Sequence, residues 1–458
     1  MSKKDLTKGS ILGNLLRFSL PFLLSCFLQT FYGLADLFIT GQYNGSSTIT
    51  AVSVGSQIMH MLTVIIVGLS MGTTVSLGHL WGSGSKDKCG KVVGNTVVLF
   101  SIFSVVLTGI LLACTNYITK ILLVPPEALA ETKQYVYVCF AGVLFITAYN
   151  VLSSIYRGVG DSKHPMIFVM IAGVLNIGLD YLFIGPLRLG AIGAAIATVV
   201  AQAISVVLAI IFLPKTIDIK VKWSDFIPSG KVLSKLIKNG APIALQDGLI
   251  QVSFIIITII ANSRGVEIAA AVGIVEKIIC FLFLIPSAML SSVSTLCAQN
   301  IGAGNVKRSQ KTLMYALIIS VAAGIIFSII CNLFTESIIT PFAKTEPLVV
   351  AFGMEYLRSY VFDCIFAGMH FCFSGYFCAN EKPILSFVHN IISIIVARIP
   401  LVYLASVLWP DTLFPMGLGA PIGSLLSAII CIFMYFYITN KDKKAASLIY
   451  NHKWGARP

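Results

Sequence analysis

Charge is what this sequence has least of. Only 11% of its 458 residues are Asp, Glu, Lys or Arg, whereas 57% are hydrophobic and the mean hydropathy is +0.90. A soluble domain carries about 25% charged residues, so the composition excludes an ordinary soluble protein and indicates a chain that crosses a membrane many times. We expect no cleavable signal peptide, because residues 1–17 are polar and basic and a full-length apolar run follows them.

Signatures of metal, redox and nucleotide chemistry are also missing. The eleven cysteines include no C-x-x-C pair and lie mostly in apolar runs, which favours reduced core residues over disulfides or a metal site. Neither an H-E-x-x-H motif nor a nucleotide-binding P-loop occurs. Nothing in the sequence therefore supports a pump that hydrolyses ATP.

Two short motifs imitate hydrolase signatures. Gly68–Gly72 fits G-x-S-x-G, but it lies inside an apolar helix and lacks the preceding strand that a nucleophile elbow requires. Ser83–Lys86 fits S-x-x-K in a basic loop without its companion motifs. We therefore predict that the chain is not an enzyme and has no cofactor.

Long apolar runs are what the sequence has in abundance. A helix needs about 20 apolar residues to cross the hydrocarbon core, and twelve runs meet this requirement. The predicted fold is an all-α membrane protein with twelve transmembrane helices. The runs lie near residues 16–40, 51–80, 93–115, 134–156, 165–185, 191–213, 237–261, 268–298, 312–334, 353–377, 385–408 and 418–438.

The distribution of basic residues predicts the orientation of these spans. With the N-terminus inside the cell, the inner segments carry 24 Lys and Arg and the outer segments carry 6, while Lys277 and Arg398 lie within spans. Such an excess marks the cytoplasmic side, so both termini are predicted to be cytoplasmic and the membrane to be the cell (plasma or inner) membrane. The same inner loops explain the net charge of +13, and we expect no nucleic-acid partner.

The chain repeats itself at an interval of about 220 residues. Each half holds six spans, so both halves enter the membrane from the same side and form a parallel repeat. Such pairs typically bind substrate in the cleft between two lobes and alternate access by rocking. The matched segments are 20–21 with 241–242, 51–58 with 271–278, 78–85 with 298–305, and 193–204 with 419–430. The predicted division is an N-lobe at 1–214, a basic cytoplasmic linker at 215–236, a C-lobe at 237–440 and a basic cytoplasmic tail at 441–458.

Asp36 and Asp180 are carboxylates inside apolar runs, which costs roughly 2.5–3.5 kcal/mol at the membrane centre and usually means that the acid faces a cavity or a partner. Spans one and five both run outward, and each acid lies five residues before the glycine that ends its span, Gly41 or Gly185. At 1.5 Å per residue, both acids lie about 7–8 Å below the outer boundary. A shared site is therefore predicted. The alternative is that each carboxylate caps an unrelated helix end near the interface.

Two polar neighbours extend this predicted site. Asn176 lies one turn before Asp180 on the same helix face, and Thr198 of span six is predicted at a similar depth. Carboxylates, an amide oxygen and a hydroxyl form the oxygen-only cluster that hard cations prefer, and two close carboxylates titrate as a coupled pair. Asp36, Asn176, Asp180 and Thr198 are therefore predicted to exchange H⁺ or Na⁺, and they would be the Na⁺ ligands if the protein is sodium-coupled. The corresponding positions of the second half carry no acid, which concentrates ion coupling in the first.

Several features occur together in a fixed order along the chain. They are Pro21, Gln29 and Asp36 of span one, "YRGVGD" ahead of Pro165, "NIGLDYLFIG", "GAIGAAIAT" and the two-lobe repeat. In this combination the chain resembles the MATE (multidrug and toxic compound extrusion) family over essentially its whole length, and its pattern is closer to the DinF-like bacterial branch than to the NorM-like one.

The resemblance implies twelve helices in two six-helix bundles around a V-shaped central cavity, with efflux of organic cations against entry of H⁺ or Na⁺. It further implies that Asp36, Asn176, Asp180 and Thr198 form a first-lobe cation site, and that Pro21 sits where the first helix can bend as a hinge.

The second half departs from some branches of the family. Those branches carry Glu in span seven and Asp in span ten, where this chain reads Gln251 and Ala367. Asp247 and Asp363 lie about one helical turn away and could substitute. The predicted substrate-cavity residues are Gln29, Tyr32, Gln246, Asp247, Gln251, Glu276 and Asp363.

Other polar residues inside the spans have two interpretations. Glu276, Lys277 and Arg398 either form structural ion pairs or line a cavity that binds cationic drugs. His370 and His389 are interpreted as polar packing groups instead of proton relays.

The leading functional hypothesis is a secondary active multidrug efflux antiporter that exports small organic cations or amphiphilic molecules in exchange for H⁺ or Na⁺. The alternative is a flippase for a lipid-linked sugar precursor. Such a flippase would need a large basic cavity to hold the pyrophosphate group. Away from the span ends, Lys277 and Arg398 are the two Lys or Arg residues inside predicted spans, which disfavours the flippase. A membrane-embedded hydrolase would need a nucleophile and base that the sequence does not show.

The expected partners are drug-like cations or amphiphiles and membrane lipids, and the expected state is a monomer.

Overall fold

The computed structural model describes residues 5–122, 124–343 and 346–454, with side chains up to Asn440. Every regular element within these ranges is helical, which confirms the predicted all-α fold. The basic residues Lys3, Lys4 and Lys344 and the side chains of the predicted tail lie outside the described part of the chain.

Eighteen α-helices make up the described chain. The first nine are α1 (Ile11–Tyr43), α2 (Ser46–Gly82), α3 (Cys89–Ile121), α4 (Pro126–Ala141), α5 (Val143–Gly158), α6 (Lys163–Ile184), α7 (Gly190–Thr216), α8 (Gly230–Asn262) and α9 (Val266–Leu282). The others are α10 (Leu284–Gly302), α11 (Val306–Leu333), α12 (Thr335–Ile339), α13 (Pro347–Tyr360), α14 (Asp363–Ala379), α15 (Ile384–Ile392), α16 (Ile399–Leu408), α17 (Phe414–Gly417) and α18 (Gly419–Trp454).

The spans agree with the apolar runs of the sequence. Within the described ranges, ten helical stretches are long and apolar enough to cross a membrane, and the bent pairs α4–α5 and α13–α14 bring the number to twelve when each counts as one span. The bends measure 47° and 42°. The first lies at Gly142, where an added Cβ would overlap the Val199 side chain of α7, so a residue without a side chain permits both the bend and the close approach.

Proline lies inside three of the long helices without ending them. Pro21 is in α1, Pro214 in α7 and Pro242 in α8, and each removes one backbone donor from its helix. A different irregularity is the π-helical segment Ser393–Arg398 between α15 and α16. Segments of this kind are rare and occur frequently at functional sites.

Packing divides the chain into two compact units, each described by itself. Unit 1 comprises Met1–Gln251, Ser287–Ala316 and Gly375–Pro383, and unit 2 comprises Val252–Pro286, Leu317–Ser374 and Ile384–Pro458. Unit 1 has two apolar clusters, one containing Tyr156 and the other Phe140. Unit 2 has a cluster that contains Tyr356 and Tyr360. The lobe boundaries at 214 and 237 follow the sequence repeat and stay a prediction.

Glycine allows α2 to pack against α8 at backbone distance within unit 1. A Cβ at Gly72 would overlap the carbonyl oxygen of Leu236, and a Cβ at Gly240 would overlap that of Leu69. Gly68 faces the α8 backbone as well, since its Cβ would lie 2.8 Å from the Ala244 nitrogen. These reciprocal contacts, which we call the α2–α8 contact, join a helix of the first repeat to a helix of the second.

The basic linker between the repeats is packed and hydrogen-bonded, also within unit 1. Its 3₁₀ turn Trp223–Phe226 lies against α3, where the Asn95 amide nitrogen donates to the carbonyl oxygens of Asp225 at 3.0 Å and Ile227 at 3.3 Å. The Ser229 backbone N–H donates to the Asn95 side-chain oxygen at 2.7 Å. One buried asparagine therefore fixes the residues that immediately precede α8.

Candidate functional site

Three helices of unit 1 bring the predicted ion-binding residues together. Asp36 comes from α1, Asn176 and Asp180 from α6, and Thr198 from α7. The exposed fractions of Asp36, Asn176 and Asp180 are 3%, 1% and 0%. The two carboxylates are neighbours in the folded chain, and Asn176 lies beside Asp36. The geometry is therefore that of one site and not of two separate helix ends.

Few protein groups satisfy these carboxylates. The Thr198 hydroxyl donates to Asp36 Oδ2 at 3.3 Å and also lies 3.0 Å from the Ala194 carbonyl oxygen of its own helix. Among the described residues, no hydrogen bond of ordinary geometry satisfies Asp36 Oδ1, Asn176 Oδ1 or either Asp180 oxygen. A buried charge without a partner is costly, so the unpaired oxygens of this cluster are suited to accept a proton or a cation.

The donor set suits H⁺ or a hard cation and does not suit a transition metal. Carboxylate, amide and hydroxyl oxygens are ligands for hard cations. Among the residues that the structure describes, no group of three or more His, Cys, Asp or Glu side chains gathers at one place. The roles of Asp36, Asn176, Asp180 and Thr198 in ion coupling stay predictions, and the geometry supplies the reason for them.

Residues that the sequence did not single out surround the same cluster. Gln202 of α7 donates its amide N–H to the Tyr32 hydroxyl at 3.2 Å. Tyr135 and Cys139 of α4 lie within the range of electrostatic interaction with the Asp36 carboxylate. Gln202 follows Thr198 by one helical turn, and Cys139 follows Tyr135 by one turn. This four-residue spacing on one helix face is the only feature of the sequence that could have indicated that these residues belong to the site.

The predicted cavity residues fall in both units. In unit 1, Gln29 of α1 and Asp247 and Gln251 of α8 are partly buried, and Gln246 is fully buried. An added Cβ at Gly68 would lie 3.0 Å from Asp247 Oδ2, so this carboxylate lies against α2. The role of these residues in binding cargo stays a prediction.

Unit 2 contains a polar cluster of its own. The Thr258 hydroxyl donates to Glu276 Oε2 at 3.2 Å. Arg398, the last residue of the π-helical segment, donates to the Tyr360 hydroxyl at 2.7 Å, and its guanidinium carbon lies 4.9 Å from the centre of the Phe254 ring.

Charge neutralisation in this cluster is indirect. Asp363 is fully buried at the start of α14, and its Coulombic interaction with Arg398 is attractive. Within the described residues, neither Glu276 nor Arg398 forms a direct ion pair. His389 bridges Ser374 at 3.0 Å and Ser427 at 2.6 Å, which is the contact pattern of a polar packing group.

Pro21 lies within α1, which runs without interruption from Ile11 to Tyr43. Its side chain is partly buried. The missing backbone donor makes this the weakest point of the helix, and its role as a hinge stays a prediction.

Comparison with known proteins agrees with this architecture. Probable multidrug resistance protein YpnP of Bacillus subtilis (strain 168) is 29% identical over 95% of this chain and 97% of its own length. A protein of Shewanella oneidensis named FAD transporter is 26% identical over 92% of this chain and 93% of its own. The fold matches a solved structure described as the outward-facing conformation of a multidrug resistance MATE family transporter, with a TM-score of 0.90, 21% identity and coverage of 97% and 99%.

The family assignment rests on the sequence over most of the chain. The model of the MatE family matches residues 21–182 and 242–404, one segment in each half of the repeat. The DinF-like branch stays a prediction. The chain therefore belongs to the MatE family, whose members are membrane transporters and not enzymes.

Proposed function

We propose that the protein is a secondary active efflux antiporter that exports small organic cations and amphiphilic molecules in exchange for H⁺ or Na⁺ by alternating access. The observation that carries this proposal is the pair of buried neighbouring carboxylates, Asp36 and Asp180, whose oxygens lack sufficient protein partners. Their setting in a parallel two-lobe repeat supports it, because such repeats place coupling ions and substrates near the membrane midplane.

Ion binding would act through the packing of α1, α6 and α7. When the cluster holds no cation or proton, two like charges repel across it, and the helices are held apart at that depth. Protonation or Na⁺ binding removes this repulsion and lets the same helices close. The conformational balance then shifts by the difference between the affinities of the two states for the ion, and by no more than that.

The proposed cargo follows from relatives and from the site together. The names of two relatives, probable multidrug resistance protein and FAD transporter, support a cargo of drug-like organic molecules. We place the transporter in the cell membrane with both termini in the cytoplasm, because the distribution of basic residues favours that orientation. We expect a monomer surrounded by membrane lipids.

The test of this function uses the purified full chain in proteoliposomes. Efflux of ethidium is followed by fluorescence under a pH gradient alone, a Na⁺ gradient alone and neither, with an ionophore added to collapse each gradient. Transport under one gradient supports the proposal and names the ion. Absence of gradient-dependent transport of ethidium and of norfloxacin would contradict it and would favour the lipid-linked flippase.

Thr198→Val is expected to shift the coupling-ion affinity about tenfold without loss of folded protein. Na⁺ would bind more weakly because it loses a hydroxyl ligand, whereas H⁺ would bind more tightly because the Asp36 carboxylate loses a donor that stabilises its ionised form. Valine keeps the shape of threonine but removes the hydroxyl that donates to Asp36 Oδ2, and a hydrogen bond to a charged group is worth about 1.5–3 kcal/mol. The measurement is the ion concentration at half-maximal efflux, with Thr63→Val as the control, because the Thr63 hydroxyl bonds only its own helix, at Met59. Unchanged ion dependence would show that Thr198 is not part of the site.

A further inference from the structure

Arg157 is a buried cation that the proposed mechanism does not use. Arg157 directly follows the fourth predicted span, at 134–156, and is one of the 24 basic residues assigned to inner segments. In the structure it is the penultimate residue of α5 and only 5% exposed. Its guanidinium carbon lies 5.2 Å from the centre of the Phe22 ring of α1. Because side chains on a helix point back toward its N-terminus, this guanidinium is directed along α5 into the interior of unit 1.

Within the described residues, the Arg157 side chain has no hydrogen-bond acceptor and no ion-pair partner. Its Nε is fully buried without an acceptor, and the titratable groups around it are Tyr149 and Cys26, both of which are neutral near pH 7. Arginine presents five N–H donors and stays charged at every physiological pH. Stacking on an aromatic ring is worth about 0.5–2 kcal/mol, well below the several kcal/mol that burying an ion costs.

Among the residues that the structure describes, the surroundings of Arg157 offer donors and rings but no compensating negative charge. Tyr149, Ser153 and Arg157 follow one another at four-residue intervals and so share one face of α5. Cys26 and Phe22 are likewise one turn apart on α1. Asp36 is fourteen residues along α1 from Phe22, which is about 21 Å of helix, so the ion-binding carboxylates are too far away to neutralise Arg157.

We propose that Arg157, stacked on Phe22, is a subsite for a carboxylate or phosphate group. This inference deepens the proposed function and rests on it in one respect: the anionic group belongs to the cargo. Guanidinium binds both groups through two parallel hydrogen bonds, and a low-dielectric setting strengthens them. The cargo would then include zwitterions and acids, with the acid on Arg157.

The test compares an acid with its ester. Binding of norfloxacin, which carries a carboxylate, and of its ethyl ester is measured by calorimetry on the full chain in nanodiscs of phosphatidylcholine. Arg157→Gln is expected to weaken norfloxacin binding about 10- to 100-fold and ester binding less than about twofold. Arg157→Lys, which keeps the charge and loses the two-pronged geometry, should fall between. Arg17→Gln is the control, because Arg17 is exposed on α1.

Two further arms identify the source of the anion. Inorganic phosphate, or phosphatidylglycerol in place of half the lipid, is added to wild type and to Arg157→Gln. If phosphate or phosphatidylglycerol competes with norfloxacin in wild type but not in Arg157→Gln, the subsite is supported. The competing arm then shows whether a free anion or a lipid headgroup also binds there. Equal loss of acid and ester binding in Arg157→Gln, or no loss of either, overturns the proposal.

Failure of the proposed function gives a different result. If wild type binds neither norfloxacin, nor its ester, nor ethidium, the cargo class is wrong. The subsite is then decided by native mass spectrometry of the purified protein. Phosphatidylglycerol retained by wild type and lost from Arg157→Gln supports an anion site, whereas equal retention overturns it.

Discussion

Asp180→Asn is expected to abolish ion-driven efflux, with a loss of at least about 100-fold. Asparagine keeps the size of the side chain but cannot take up the exchanged proton, and it removes one of two charges that would hold Na⁺. Asp180 is fully buried, and within the described part of the chain neither of its oxygens has a hydrogen-bond partner, so the variant with a neutral side chain should fold at least as well. A loss of this size corresponds to about 2.7 kcal/mol, which is within the range for a charged contact.

Asp36→Asn is expected to give the same loss, because each carboxylate contributes to one coupled site. The measurement is gradient-driven ethidium efflux from proteoliposomes, together with ethidium binding in the absence of a gradient. The matched control is Asp87→Asn, since Asp87 is exposed in the loop before α3. Full gradient-driven transport by either site variant would rule out the shared site and turn attention to Asp247, Glu276 and Asp363.

Gly72→Ala is the second substitution for which we expect a large effect. The new Cβ would overlap the carbonyl oxygen of Leu236, which belongs to the backbone of α8 and cannot rotate away. Overpacking of this kind costs about 1–3 kcal/mol. If alternating access requires the α2–α8 contact to form and open, that cost falls on one state only, and the population ratio shifts by about 5- to 150-fold.

Efflux by Gly72→Ala should therefore fall about tenfold or more while the protein still folds. Hydrogen–deuterium exchange at residues 66–76 and 234–244 should become faster as the contact opens. Gly109→Ala in α3 is the matched control, because a Cβ at that position would point into open space beside the helix, as far as the structure describes the chain. Normal efflux with unchanged exchange in Gly72→Ala would show that the α2–α8 contact tolerates the added methyl group and does not limit transport.

The sequence predicted the helices and the centre of the site because both depend on local pattern. Twelve apolar runs require twelve helices in a membrane, and the depth of Asp36 and Asp180 follows from helical rise alone. The bend at Gly142 and the π-helical segment before Pro400 arise from tertiary packing, and no single run of residues specifies them.

The largest difference between the sequence-based prediction and the structure concerns the location of Arg157. Counting basic residues at span ends assigns each to an aqueous loop, but a side chain that points back along its helix can lie inside the protein. Gln202 and Tyr135 escaped notice for a related reason. Their proximity to the site depends on which faces of α4 and α7 turn toward α1, and amphipathic patterns are weak when helices are apolar all round.

The hydrogen bonds of Asn95 have a mechanical consequence for α8. They fix the chain at Asp225, Ile227 and Ser229, one residue before the helix begins, and Pro242 weakens the same helix twelve residues later. The N-terminal end of α8 is therefore held in place, and Pro242 is the position at which the helix bends most easily. The residues after Pro242 can change direction while the loop before α8 stays hydrogen-bonded to α3.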